Sequence, residues 1–177
     1  MLVDDVKSQI EAARTEFRAA IEAVSERWEE AGLEPEQDSG KAWATVRDGE
    51  AWSPRQVAEH VLSVDELYAG RMREGIGELV EEPEWIGNLG RADSFPGLES
   101  AEAALEYLDT RAAEMTQLID SLNAEALASA ARVGPMQEQM AEHYGFKASA
   151  TVEGLVAVAA GHWQDHAQQL ATFAASA

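Results

Sequence analysis

Trp52-Ser53-Pro54-Arg55-Gln56-Val57-Ala58-Glu59-His60-Val61 contains a complete helix start. Ser53 is a natural N-cap, Pro54 occupies the first helical position, and Gln56 completes a capping box three residues after the cap. Trp52, just before the cap, can staple the helix start. An apolar stripe then runs through Val57, Val61, Val64, Leu67, Tyr68 and Met72, and the helix is expected to fade near Gly75 and Gly77. His60 follows Val57 by three and precedes Val64 by four, so it sits on the inward stripe.

Three further segments carry the same period. Val6, Ile10, Ala13, Phe17, Ile21, Val24 and Trp28 form one stripe, closed by Gly32 and Pro35. Leu105, Leu108, Ala112, Met115, Ile119 and Leu122 form the most regular stripe, beginning near Ser100 and ending at Asn123. The last begins near Thr151 and holds Leu155, Ala159, His162, His166, Leu170 and Phe173. Connections over 32–52, 75–99 and 123–150 hold every proline except Pro54. A short hairpin near Val133–Phe146 is the one strand candidate. Four amphipathic helices of roughly 20 residues predict an all-α fold, a four-helix bundle with each stripe turned inward. The expected organisation is a single domain over 1–177.

Composition narrows the chemistry. The chain has 177 residues, 33 acidic against 13 basic, and a net charge of -20. Nucleic acid and anionic membrane surfaces are poor partners for such a chain. With no cysteine, a disulfide framework, thiolate ligands and a cysteine nucleophile are excluded. Met1–Ala13 lacks an apolar signal-peptide core, and no stretch is long enough to span a bilayer. A cytoplasmic location is expected. The acidic Glu81–Trp85 run reads as a solvated loop.

Only four histidines occur: His60, His143, His162 and His166. His162 and His166 lie one turn apart on one face, about 6 Å along the axis. That spacing lets one metal take two imidazoles from one helix. His60 faces inward from another helix. Buried imidazoles without partners cost about 1–3 kcal/mol each, and a shared divalent metal would satisfy all three. Packed, hydrogen-bonded structural histidines are the competing reading. Trp163 stands where a zinc peptidase helix needs Glu, so that class is disfavoured. His143 reads as a surface residue. Asp165 and Glu59 are poor general bases; each reads as solvated or as a partner to a ligand imidazole. Tyr68, Tyr107 and Trp163 are core or pocket aromatics.

Two segments resemble the DinB-like (YfiT-like) metalloenzyme superfamily: Trp52 to Val61, and His162-Trp163-Gln164-Asp165-His166-Ala167-Gln168-Gln169-Leu170. In that family a Trp-Ser or Trp-Thr pair opens the helix that delivers the first histidine, and a His-x3-His pair on the last helix supplies the others. The resemblance implies an up-down-down-up bundle, with His60, His162 and His166 holding a divalent metal. It also implies a homodimer, and a reaction that is hydrolysis of a small molecule or transfer of a bacillithiol- or mycothiol-type thiol. Three imidazoles suit Zn or Ni first, with Fe, Co or Mn also compatible. The mycothiol-dependent isomerase branch carries Glu where this chain has His162, so its activity is not carried over. The alternative is a non-catalytic bundle, a binding or dimerisation module with a structural or vestigial metal.

Overall fold

A computed structural model describes residues 3–33, 51–80, 98–130 and 151–176. Among them regular structure is entirely helical: α1 (Val3–Ala23), α2 (Pro54–Gly75), α3 (Ala101–Ser121), a short α4 (Ala124–Ala128) and α5 (Val152–Ala175). The chain is therefore all-α, as its periodicity predicts. His143, Glu81–Trp85 and the hairpin candidate lie outside the described residues. No helix among the described residues is long and apolar enough to cross a membrane.

The helix starts follow the sequence closely. Ser53 Oγ accepts from Gln56 N at 3.3 Å, and Gln56 Oε1 accepts from Ser53 N at 2.8 Å, closing the capping box. Ser100 caps α3 through Ala103 N, and Thr151 caps α5 through Gly154 N. Each such cap stabilises its helix by about 1 kcal/mol. α2 ends at Gly75, and Gly77 then takes a φ of 90°, a left-handed turn that favours glycine.

Two helix ends differ from the expectation. α1 stops at Ala23 instead of running on to Gly32, and a single 3-10 turn at Ser25–Arg27 follows. The backbone beyond it is needed elsewhere. Gly32 N and Leu33 N donate to Trp52 O, Trp52 N donates to Leu33 O, and Arg55 N donates to Trp28 O. The Arg55 bond satisfies a first-turn amide of α2 that no intrahelical carbonyl can reach, and the others pair the chain after α1 with Trp52. They require residues 28–33 to leave the helical path. Likewise α3 ends at Ser121, and Asn123 caps α4 through Ala126 N instead of closing α3.

Packing is organised around α5. Gly154 through Trp163 is buried continuously, so this half of the helix has no solvent face. The expected single stripe describes only its second half, where Gln164 and Gln168 are exposed. α1 and α2 both pack on α5, and both also pack on α3. Phe17 of α1 meets Trp163 at 5.7 Å between ring centroids. Arg27 lies 3.9 Å from the centre of the Phe173 ring and donates to Phe173 O. A side chain at Gly32 would come within 3.0 Å of that same ring. Ion pairs Lys7–Asp120 and Arg18–Asp109 join α1 to α3 at the surface.

The core contains charged residues that periodicity did not assign to it. Arg14 of α1 is 8% exposed, and Glu59 and Asp65 of α2 are 2% and 3% exposed. Arg14 donates to Ala112 O at 2.7 Å and Arg111 O at 3.3 Å, carbonyls of α3. Glu59 Oε1 accepts from Leu98 N and from Arg55 Nη1, both at 2.9 Å. It ties the residues before α3 to α2, where the sequence suggested a solvated group or a partner to an imidazole.

Asp65 is pushed from 3.8 up to about 7, chiefly by burial. Arg14 of α1, the Trp163 indole of α5 and Arg111 of α3 act against that rise, while Asp65 in turn raises Tyr68. A carboxyl that holds its proton more tightly when folded stabilises the fold below its unfolded pKa. That contribution declines as pH rises from about 4 to about 7. The interval corresponds to about 4 kcal/mol. Asp65→Asn keeps the shape and removes the titration. Its stability relative to the parent should therefore rise between pH 4 and pH 8, by up to about 4 kcal/mol. Urea unfolding of both proteins across that range measures the difference, and a flat difference would place Asp65 in a neutral environment.

Candidate metal centre

His60 on α2 and His162 and His166 on α5 converge on one point. One ring nitrogen from each lies within 4.8 Å of the other two. Ring centroids are 5.1 Å apart for His60–His162, 5.1 Å for His60–His166 and 4.6 Å for His162–His166. His60 Nε2 and His162 Nε2 are 3.2 Å apart. All three histidines singled out from sequence are therefore brought together, across about 100 residues of chain.

The local reasons are visible in each helix. His60 lies about two turns into α2 from its capped start, and its ring is met edge-on by Trp52 at 5.3 Å. Trp52 thus braces the imidazole and pairs its backbone with Leu33. His162 lies one residue before the end of the fully buried part of α5 and is 2% exposed. Tyr68 approaches it edge-on at 6.3 Å. His166 is half-buried, where α5 first regains a solvent face.

The electrostatics favour neutral rings. Burial pushes His60 down to about 3, with His166 adding to the effect. Burial, then His166 and His60, holds His162 well below the ordinary imidazole value. A neutral imidazole is the form that binds a metal, so no proton has to be displaced at neutral pH. Two neutral imidazole nitrogens at 3.2 Å attract only if one carries a proton or a cation lies beside both.

The donor set fits a divalent metal. Tetrahedral bonds of about 2.0–2.1 Å separate ligand nitrogens by about 3.3 Å. The His60–His162 separation is already 3.2 Å. His166 Nδ1 donates to Gln169 Oε1 at 2.8 Å, which fixes the tautomer and leaves Nε2 as the lone-pair nitrogen. His60 Nδ1 is sealed from solvent and has no hydrogen-bond partner among the described residues.

Other sequence candidates take different places. Gln169 Oε1 accepts from His166 Nδ1, and Glu59 is engaged by Leu98 N and Arg55. Asp165 is half-buried. Trp163 turns away to donate to Asp65, and Tyr107 OH accepts from Arg111 on α3. Sequence reasoning passed over Gln169, although its i+3 spacing from His166 was a usable signal.

A family model for the DinB superfamily matches residues 9–170. No curated protein and no solved structure is significantly similar to the chain. The matched span runs from the first turns of α1 to Leu170, one turn past His166, and takes in all three clustered histidines. The chain belongs to the DinB superfamily.

Proposed function

We propose that the protein is a metal-dependent enzyme acting on a small molecule, with His60, His162 and His166 holding one divalent transition metal. The observation that carries this reading is the convergence of three imidazole nitrogens within 4.8 Å. Zn or Ni suits the all-nitrogen donor set best, with Fe, Co or Mn compatible. When bound, the metal supplies Lewis acidity that makes water or a small-molecule thiol nucleophilic near neutral pH. Hydrolysis and thiol transfer are the two reaction classes this supports; without cysteine, a transferred thiol comes from a co-substrate.

The chain's own residues prepare the site. Burial keeps His60 and His162 neutral. Gln169 holds the His166 proton on Nδ1. Trp52 and Tyr68 border the imidazoles and shield them from water. Three protein ligands leave room for substrate, whereas a structural zinc is usually closed by four.

The reading includes one four-helix bundle of up-down-down-up order in a single domain. Cross-helix pairs support it. Lys7–Asp120 and Arg18–Asp109 run α1 against α3. Phe17–Trp163 and Arg27–Phe173 run α1 along α5. His60–His166 and Tyr68–His162 run α2 against α5. A homodimer, a cytoplasmic setting and no nucleic-acid or membrane partner belong to the same reading, supported by the family and by the charge of -20.

Elemental analysis of protein free of tag histidines should find about one equivalent of transition metal per chain. His60→Ala or His162→Ala should lose it; full occupancy in His162→Ala would overturn the site. Gln169→Leu should keep the fold and weaken metal affinity about 10–100-fold, read by competition with a chelating dye. Removing the metal should lower the melting temperature only slightly, as expected of an open site, whereas a large drop would favour a structural metal in a non-catalytic module.

A further inference from the structure

One continuous run of contacts joins the four long helices directly beside the histidines. Trp163 Nε1 of α5 donates to Asp65 Oδ1 of α2 at 3.0 Å, with both residues buried. The Arg14 guanidinium of α1 lies 5.3 Å from the centre of the Trp163 ring. Arg14 is itself anchored to α3 through Ala112 O, Arg111 O and, at 3.4 Å, Thr116 Oγ1. Trp163 directly follows His162, and Asp65 lies five residues after His60.

Leu155 through Gly161 offers only aliphatic side chains, alanines and a glycine. Such packing fills space without strongly fixing rotation. A metal site tolerates little error, about 0.5 Å. Turning α5 by about 20° moves a side-chain tip, about 5–6 Å from the axis, by about 2 Å. A hydrogen bond is directional where apolar packing is not. The bond from Trp163 fixes the azimuth of α5 one residue from His162. It fixes it against the helix that presents His60.

We propose that Asp65 and Trp163 are positioning residues: their hydrogen bond sets the rotation and register of α5 against α2, and so brings His162 Nε2 to His60 Nε2. The inference rests on the metal-site reading above, and it adds residues that touch neither metal nor substrate. Removing one partner of a buried hydrogen bond leaves the other unsatisfied and lowers stability whatever its role, so zinc affinity has to be read separately from stability.

The test measures zinc affinity by dye competition and thermal stability on the full chain, for the parent, Asp65→Asn, Asp65→Leu, Trp163→Phe and the Leu/Phe double variant. Asp65→Asn retains an oxygen acceptor and should bind zinc within about threefold of the parent. Asp65→Leu should stay folded yet bind at least tenfold more weakly. Trp163→Phe keeps an aromatic ring without the donor; it should show a similar loss and provides the same information if Asp65→Leu does not fold. The double variant should lose no more than either single change, because both remove one bond. Zinc affinity in Asp65→Leu or Trp163→Phe within threefold of the parent would overturn the positioning role and leave the metal site standing. A parent that binds no zinc or nickel would overturn the metal site, and this inference with it.

Discussion

The first three turns of α5 have no solvent face, and the rest of the molecule is arranged around that constraint. A helix buried all round must be covered on every side, and α1 and α2 pack on it directly while α3 packs on both of them. Its composition makes this practicable. Between Leu155 and Gly161 the residues are small or aliphatic, so neighbouring helices approach without unpaired polar groups. Its Thr151 cap and the Val152 N to Ser129 O bond satisfy the buried end.

Within α5 the histidines come where that covered segment ends. His162 sits at the boundary and His166 one turn beyond it, where α5 begins to meet solvent. This is a favourable place for an open metal site. Burial keeps His60 and His162 neutral there, while His166 lies toward the solvent side. Other buried charges in α2 are kept for connection: Glu59 ties Arg55 and the residues before α3, and Asp65 ties Trp163. Such groups are costly to bury, and a role in fixing the arrangement of helices is a reason to retain them.

The position of Trp52 shows how one residue can serve two levels of structure. Its backbone pairs with Leu33, which joins the chain after α1 to the start of α2. Its ring braces His60. Helix initiation and ligand placement are therefore coupled at the start of α2, within one segment of ten residues.

The sequence by itself determined the helices, their caps and the three histidines. Each of these is a short-range pattern: a capping box spans four residues, an amphipathic stripe repeats every three or four, and His162 and His166 need only one turn between them. It also excluded cysteine chemistry outright. Tertiary structure decided what depends on distant partners. That α1 ends at Ala23 follows from bonds to Trp52 and Arg55, a pairing across some 20 to 30 residues that no local window contains. That Arg14, Glu59 and Asp65 are buried goes with carbonyls, an amide and an indole on other parts of the chain, since a charged residue in a helical stripe reads as solvated until its partners are seen. That Gln169 meets the His166 ring depends on side-chain rotamers within α5, which spacing alone leaves open. Above all, the 3.2 Å approach of His60 to His162 is a property of how α2 lies against α5, and only the packed fold fixes it.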